Sequence, residues 1–370
     1  MNITPPSVPF VELVRQYNDL QLEIKDALSS VMSKGEFVLG EEVMKFEAEF
    51  AEFNQSQHCI GVSDGTDAIQ LALLALDIGP GDEVIVPTHT YIASVFAIQN
   101  AGAKPVLVDC HPKYYTIDVE QVERAVTRKT KALLPVHLYG HAVDMDPLLK
   151  IAERHHLFIV EDAAQAHGAT YKGKMCGTIG DLGCFSFYPS KNLGAYGDGG
   201  AILTNKVKLA EKLYMLRNYG QKRKYVHSIR GFNSRLDSVQ AAILRIKLRH
   251  LRQWNESRRK TAAYYNHYLK KCRVDIPMTA DYANPVWHLY VVQSPDREGL
   301  QKQLDLARIS WGIHYPIPVH LQEACKKLGY NKGDFPVSER LAGQILSLPI
   351  FPEIKEEEIE RVVKAVSMNC

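Results

Sequence analysis

Short apolar runs alternate with longer amphipathic stretches over residues 58–205. The runs are bounded by Gly, Pro and Asp, and several are apolar at every position, as strands covered by helices on both faces are. This pattern predicts an α/β domain with a mostly parallel sheet. We expect seven strands, at residues 59–63, 83–87, 105–109, 132–138, 157–161, 184–188 and 201–204.

Helical periodicity fills the intervals between these strands. Stretches with one apolar face predict helices at residues 67–76, 91–100, 119–127 and 145–155. The character changes after Asp237: residues 238–268 have helical period and are rich in Arg and Lys, and the next strand signal comes at 289–292. We therefore predict a large domain over residues 1–245 and a smaller α+β domain over residues 246–370, which ends in a helix at 356–367.

The composition is that of a folded, soluble protein. The 370 residues are 46% hydrophobic and 23% charged, which suits two domains with large cores. A net charge of +2 with both signs interleaved predicts no binding of nucleic acid or of an anionic membrane. The N-terminal residues carry no basic leader before an apolar stretch, and no apolar run reaches eighteen residues, so the predicted compartment is the cytoplasm.

The seven cysteines are scattered, odd in number and without a CxxC pair. Paired or clustered spacing is typical of disulfide frameworks and of zinc sites. We therefore expect neither disulfides nor a metal site.

A lysine lies in the glycine-rich segment GCFSFYPSKNLGAYGDGG, residues 183–200, where a predicted buried strand ends. In such a place the ammonium of Lys191 loses water, which lowers its pKa and makes the neutral amine available for a Schiff base. Taken alone, the segment also fits a lysine on a solvated turn.

An acid lies at the carboxyl end of the apolar strand in FIVEDAAQAHG, residues 158–168. Ligands of open α/β sheets bind at that end. Asp162 can there pair with a protonated pyridine nitrogen and hold the ring as an electron sink. Gln165, three residues later, can hydrogen-bond a phenolic oxygen of the same ring. The alternative is that Asp162 only caps the next helix.

The segment GVSDGTDA, residues 61–68, predicts a strand, a turn of small residues and a helix. Free backbone amides at the helix N-terminus and the Thr66 hydroxyl suit a phosphate, although Thr66 or Ser63 could simply cap the helix. Together the three segments match one cofactor, because pyridoxal phosphate needs a phosphate cradle, a carboxylate at its ring nitrogen and a Schiff-base lysine. Tyr91, at the same edge of the sheet, can stack on the ring or belong to the core.

On these motifs the sequence resembles the sugar aminotransferases of the DegT/DnrJ/EryC1 type, which have the type I (aspartate aminotransferase-like) fold of pyridoxal-phosphate-dependent transferases. The resemblance extends from GEFVLG at residues 35–40 to residues 348–349. It implies that Lys191 forms the Schiff base, that Asp162 pairs with the ring nitrogen and that Gln165 contacts the ring hydroxyl. The implied phosphate ligands of the chain's own site are Gly65, Thr66 and Ser186.

The resemblance also implies a homodimer with shared active sites. In the family a GxNxR segment reaches the phosphate in the neighbouring subunit, and this chain has GFNSR at residues 231–235. Asn233 and Arg235 are therefore expected to complete the partner's site. Without the family, the segment indicates only a loop before a helix.

The segment IHYPIPVHLQ, residues 313–322, resembles family members that aminate C3 of dTDP-3-keto-6-deoxyhexoses. Its side chains can donate hydrogen bonds to the sugar or the diphosphate, or they can be packed aromatics on a proline-rich strand edge. The expected substrate contacts are Tyr188, Arg235, His314, Tyr315 and His320. The basic run at residues 221–225 can meet the diphosphate or form a solvated loop.

The expected reaction transfers an amino group from glutamate to a nucleotide-linked keto sugar, with pyridoxamine phosphate between the two half-reactions. Lys191 would act first as the Schiff-base partner and then as the base that moves the proton. Alternatives are a C4 aminotransferase, a dehydratase of the same fold, or a regulatory protein without catalysis. Lys191 argues against the dehydratase, whose relatives carry histidine there. No helix-turn-helix signal supports regulation, and no GxGxxG after the first strand supports a nicotinamide dehydrogenase.

Overall fold

The computed structural model describes residues 6–368. Residues 1–5, on which part of the argument against a leader segment rests, lie outside this range. Helices α1 to α11 of the described chain span, in order, Leu13–Lys34, Glu41–Phe53, Gly65–Ala75, Ala93–Asn100, Val119–Ala125, Met145–His155, Val207–Leu216, Ser238–Leu269, Arg297–Leu306, Pro336–Gln344 and Glu356–Ser367. Short 3-10 helices span Leu138–Gly140, Val319–Leu321 and Glu323–Leu328.

Strands β1 to β14 of the described chain span, in order, His58–Val62, Glu83–Pro87, Lys104–Val108, Thr130–Leu133, Phe158–Asp162, Thr170–Tyr171, Lys174–Met175, Leu182–Ser186, Gly200–Thr204, Gln221–Arg223, Val226–His227, Ala283–Asn284, Tyr290–Gln293 and Ile345–Leu348. Seven of them form one sheet in the order β1-β9-β8-β5-β4-β2-β3. Strand β9 runs antiparallel to both of its neighbours, and the other pairs are parallel. The predicted seven-stranded, mostly parallel α/β sheet is confirmed.

Alternation along each strand builds two cores, one on each face of the sheet. In β2, Ile85 packs into a cluster with α2, α6 and α8, whereas Val84 and Val86 pack into a second cluster with α3, α4 and α7. Successive side chains of a strand point to opposite faces, so a strand that is apolar throughout requires helices on both sides. The sheet is therefore fixed from both faces, and its strand ends are rigid supports for side chains.

Six of the seven predicted strands begin and end within two residues of the predicted positions. The seventh ends earlier than predicted. The run at 132–138 is a strand only to Leu133, because Pro135 cannot donate to the ladder. The predicted helices are also present. Helices α1 and α2, which precede the sheet, were not predicted.

The C-terminal part begins within α8, which continues unbroken from Ser238 to Leu269. Strands β13 and β14 pair antiparallel there, and α9 and α11 pack with them in a separate apolar cluster. The predicted domain boundary near residue 245 falls inside this helix. The division into residues 1–245 and 246–370 stays a prediction.

The cysteines of the described chain do not all behave as expected. Cys272 is disulfide-bonded, so the expectation of no disulfides is wrong for this residue. Cys370 lies outside the described residues. The free and buried thiols are those of Cys59, Cys110, Cys176, Cys184 and Cys325.

Candidate active site

A cavity of about 710 Å³ opens at the carboxyl ends of the parallel strands. The turns after β1, β2, β4, β5 and β8 supply most of its wall, and the C-terminal part of the chain supplies the rest. The predicted site residues that line it are Gly65, Thr66, Tyr91, Asp162, Gln165, Ser186, Tyr188, Lys191, His314 and Tyr315. Open α/β sheets place their ligands at this edge because helix N-termini and strand ends converge there.

Lys191 projects from the loop that links the antiparallel neighbours β8 and β9. The loop turns tightly: a side-chain carbon at Gly194 would lie 2.2 Å from the Pro189 carbonyl oxygen. The buried ammonium of Lys247 donates to the Gly194 carbonyl at 2.5 Å and secures the loop from α8. Burial lowers the pKa of Lys191 to about 8, although the nearby Asp162 carboxylate opposes the shift. The amine is therefore much easier to deprotonate than on a solvated turn.

Asp162 ends β5 and is almost fully buried. The Ser94 hydroxyl donates to its Oδ2 at 2.7 Å, and the Ala164 amide donates to its Oδ1 at 3.1 Å. Burial raises the pKa of this carboxyl, whereas these hydrogen bonds and the charge of Lys191 lower it. No α-helix follows Asp162 directly in the described chain, so the helix-cap alternative is wrong.

Gln165 is held with its amide nitrogen toward the cavity. Its Oε1 accepts from the Tyr139 amide at 2.6 Å, and its Nε2 donates to the Tyr315 hydroxyl at 3.2 Å. The Tyr139 amide can only donate, so it fixes the orientation of the glutamine. Nε2 is thus a donor of the kind that a ring oxygen needs.

The expected phosphate cradle is only partly as predicted. Oδ1 of Asp64 accepts from the amides of Thr66 and Asp67, at 2.7 and 3.0 Å, so Asp64 caps the helix and these two amides, which were expected to be free, are already engaged. The donors left for an anion are the Thr66 and Ser186 hydroxyls and the Gly65 amide at the positive end of α3. Gly65 is required sterically, since a side-chain carbon there would lie 2.7 Å from Cβ of Ser186.

Aromatic side chains line the mouth of the cavity. Tyr91 and Tyr188 are each 56% exposed, which leaves their rings open to a ligand. The Tyr91 ring lies 5.5 Å from that of the partly buried Tyr315, centroid to centroid. His314 bonds Ser347 Oγ through Nδ1 at 2.8 Å, and burial beside Lys191 lowers its pKa to about 4. Its imidazole is therefore neutral near pH 7.

Three predicted site residues lie away from this cavity. His320 is buried, with Nδ1 at 3.0 Å from Thr88 Oγ1 and Nε2 at 3.0 Å from Glu339 Oε1. Both ring nitrogens are engaged, so its placement is contrary to the expected sugar contact. Asn233 is exposed, and Arg235 donates to Asn218 Oδ1 at 3.1 Å. Within one chain, neither residue reaches the cavity.

The basic run at residues 221–225 also lies outside the cavity. It belongs to the two-stranded hairpin β10–β11, whose basic side chains are exposed. In a single chain the run is therefore solvated, as the alternative expected, but it forms a hairpin strand and a turn and not an irregular loop.

Sequence reasoning missed two residues that belong to the site. Ser94 lies one helical turn after Tyr91 and reaches Asp162. His288 comes from the C-terminal part and lines the same cavity as Lys191. Neither residue stands in a motif, and the only signal for His288 is a histidine directly before a predicted strand.

Residues 6–368 contain no group of three or more His, Cys, Asp or Glu arranged to hold a metal ion. No helix in that range is long and apolar enough to cross a membrane.

The donors of this cavity fit pyridoxal phosphate. A lysine with a lowered pKa, a buried carboxylate, an amide donor and two hydroxyls at a helix N-terminus line one wall. The fold and these residues define a pyridoxal-phosphate-dependent transferase of type I fold. Residues 18–367 match the DegT/DnrJ/EryC1/StrS aminotransferase family, and the chain belongs to it.

Similar proteins match over nearly the whole chain. The dTDP-3-amino-3,4,6-trideoxy-alpha-D-glucose transaminase of Streptomyces venezuelae is 50% identical over 98% of this chain and 96% of its own. The dTDP-3-amino-3,6-dideoxy-alpha-D-galactopyranose transaminase of Aneurinibacillus thermoaerophilus is 48% identical over 97% and 99%. The crystal structure of S. venezuelae DesV in complex with a ketimine intermediate superposes with a TM-score of 0.97, at 49% identity, over 98% of both chains.

Proposed function

We propose that this aminotransferase converts a dTDP-3-keto-6-deoxyhexose into the dTDP-3-amino-3,6-dideoxyhexose, with glutamate as the amino donor. The observation that carries the proposal is the placement of Lys191 and Asp162 in one cavity at the strand ends. The substrates named for the relatives from S. venezuelae and A. thermoaerophilus, both 3-amino sugars on dTDP, support the choice of sugar.

Each proposed role rests on a side chain that the cavity already holds. Bound pyridoxal phosphate supplies an electron sink for the carbon that gains or loses the amino group. Lys191 binds it covalently and, when free, carries the proton at that carbon through Nζ. Asp162 keeps a proton on the ring nitrogen, because a buried carboxylate strongly favours a neighbouring cation. Gln165 donates to the ring oxygen.

The remaining proposed contacts orient the ligands. The Thr66 and Ser186 hydroxyls and the Gly65 amide bind the phosphate, and Tyr91 stacks on the ring. Sugar hydroxyls and the diphosphate meet donors at the cavity mouth, which are Tyr188, His314 and Tyr315.

We further propose that the working unit is a homodimer in the cytoplasm. Asn233 is exposed and lies outside the cavity of its own chain, as a residue that serves a partner's phosphate must. Arg235 would lie beside it and face the same anion or the substrate diphosphate. The two sites would then straddle one interface.

The test is a panel of keto sugars offered to the purified holoenzyme with glutamate. The panel varies the keto position between C3 and C4, the C4 configuration and the nucleotide. We expect the dTDP-linked 3-keto sugar to give the highest kcat/KM, and the Lys191→Ala variant to give no turnover while its fold is retained. Preference for a 4-keto sugar would overturn the assignment to C3. Turnover by Lys191→Ala would overturn the role of the lysine.

A further inference from the structure

His288 is held rigidly at the wall of the cavity, beside the lysine loop. It is buried, and Nη1 of the buried Arg258 donates to its carbonyl oxygen at 3.3 Å and to that of Trp287 at 3.2 Å. The same nitrogen donates to the Ile350 carbonyl at 2.8 Å, which ties this segment to the chain beyond β14. The backbone of His288 therefore has little freedom to move.

The neighbour of the catalytic lysine in the chain fixes the orientation of this histidine. Nδ2 of Asn192 donates to the Val286 carbonyl and to Asn255 Oδ1, both at 2.9 Å. A carbonyl can only accept, so the amide nitrogen of Asn192 must face Val286 and its oxygen must face His288. That oxygen lies 3.2 Å from Nδ1 of His288. Nδ1 therefore carries the hydrogen.

The chain of amides continues into the wall and fixes the second asparagine in the same way. Nδ2 of Asn255 donates to the His167 carbonyl at 2.8 Å, which leaves its Oδ1 to accept from Asn192. Each amide has one possible orientation, and the tautomer of His288 is set by a chain of three hydrogen bonds. A buried polar network satisfied in this way specifies one arrangement.

The other ring nitrogen of His288 is consequently an acceptor. Burial holds the pKa of this imidazole well below its ordinary range, and the charges of Lys191 and Arg258 act in the same direction. The neutral ring has its lone pair on Nε2, and among residues 6–368 that nitrogen has no hydrogen-bond partner. The ring lines the same cavity as Lys191, whose Nζ also has no partner in that range.

The other imidazoles near the lysine are less suited to this task. His167 lies between Phe185 and Phe187 and does not line the cavity. His314 meets the Ser347 hydroxyl, which can donate or accept, so neither ring nitrogen is committed. Among these three histidines, only His288 presents a nitrogen whose role as acceptor follows from a fixed partner, because Nδ1 must donate to Asn192 Oδ1.

We propose that Nε2 of His288 accepts a hydrogen bond from Nζ of Lys191 whenever the lysine is free of the cofactor, and so positions the amine for proton transfer. His288 is a positioning residue in this scheme, since it acts through the lysine. Asn192 is next to Lys191 in the lysine loop and bonds to His288, so the same loop positions both the lysine and its proposed acceptor. The inference rests on the proposed function for the meaning of the free lysine, although its test needs no sugar.

Two substitutions separate the two ring nitrogens. In His288→Asn the side-chain amide takes the place of Nδ1 and can still donate to Asn192. No acceptor remains at the position of Nε2. In His288→Gln the amide reaches the Nε2 position and restores an acceptor. His141→Asn is the matched control, because His141 is buried and bonded through both nitrogens but lies outside the cavity.

The main measurement uses full-length protein loaded with pyridoxamine phosphate, in which Lys191 is a free amine. The rate of labelling of Lys191 by an amine-reactive reagent is followed against pH by peptide mass spectrometry. An acceptor stabilises the ammonium, so its loss should move the midpoint of labelling to lower pH by about one unit in His288→Asn. His288→Gln and His141→Asn should keep the wild-type midpoint. The groups that act on Lys191 or His288 and so also bear on this midpoint, Asp162, His167, His314 and Arg258, are unchanged in all variants.

A second measurement reads the consequence for the reaction. We expect the half-reaction with glutamate to slow by about tenfold or more in His288→Asn and by much less in His288→Gln. An unchanged labelling midpoint in His288→Asn overturns the proposal. If the midpoint is unchanged and the KM for the keto sugar is raised, Nε2 of His288 binds the substrate and not the lysine. Equal losses in Asn and Gln variants, with equal falls in melting temperature, assign His288 to packing. If the wild type aminates no keto sugar, the proposed function fails and the labelling result still stands.

Discussion

The Ser94 hydroxyl donates a 2.7 Å hydrogen bond to Oδ2 of Asp162, the carboxylate proposed to pair with the ring nitrogen of the cofactor. Ser94 is buried on α4, and the Thr90 hydroxyl lies 3.0 Å from its own. A hydroxyl has one hydrogen, so the donation to the carboxylate leaves Thr90 to donate to Ser94. Thr90, in the turn after β2, and Ser94, in the first turn of α4, thus support the carboxylate through two successive hydrogen bonds.

Ser94→Ala should weaken the proposed interaction of the Asp162 carboxylate with the ring nitrogen of the cofactor. A hydrogen bond to a charged group contributes about 1.5–3 kcal/mol, so we expect a ten- to hundredfold slower half-reaction with glutamate. Asp162→Asn gives the full effect for comparison and should be slower by orders of magnitude. Single-turnover kinetics monitored by cofactor absorbance measure both. Ser94→Thr, which keeps the hydroxyl, is the control, and a normal rate in Ser94→Ala would show that Asp162 needs no support.

Capture of pyridoxal phosphate by the cofactor-stripped protein should depend on pH through Lys191. Burial lowers the pKa of this lysine from 10.5 to about 8, and only the neutral amine attacks an aldehyde. The rate should rise about tenfold per unit below pH 8 and level off above it. Stopped-flow absorbance from pH 6 to 10 gives the profile. A rate that keeps rising to pH 10 would mean that the lysine is solvated.

Sharing of the active site is testable by mixing two inactive variants. One chain carries Lys191→Ala, and the other carries both Asn233→Ala and Arg235→Ala. If the sites are shared, one site of each mixed dimer has an intact lysine and intact donors from the partner, so its activity should return toward half of the wild type. The phosphate carries about two negative charges, so losing these donors should also lower cofactor retention.

The control for this mixture is a labelled pair of chains that demonstrates subunit exchange. If exchange occurs and activity stays absent, Asn233 and Arg235 act within their own chain or not at all. The roles of Lys191 and Asp162 would be unaffected by that result.

His320 should contribute to stability and not to sugar binding. Its two hydrogen bonds join the end of β2 to α10, and in His320→Ala both partners lose a bond in a buried place. We expect the free energy of unfolding to fall by about 2–4 kcal/mol, as measured by urea unfolding. His155→Ala, at a partly exposed histidine paired with Glu123, should change it little. A raised KM for the sugar with unchanged stability would restore the ligand role.

The sequence by itself determined the sheet and indicated the candidate reactive residues. Strand period and apolar content depend only on neighbouring residues, so the seven strands followed directly from the pattern. Lys191 and Asp162 were singled out because each follows or ends a predicted buried strand, and the end of such a strand can be recognised from the sequence alone. The family motifs added their expected roles.

Only the tertiary structure decided which distant side chains meet at the site. His288 lies 97 positions after Lys191 by number, and its contact with Asn192 depends on how the C-terminal part packs on the lysine loop. The same packing turned His320 away from the cavity and brought Ser94 to Asp162. A hydrogen bond depends on placement to within a few tenths of an ångström, and side chains that are far apart in the chain reach that placement only through the packing of the whole fold.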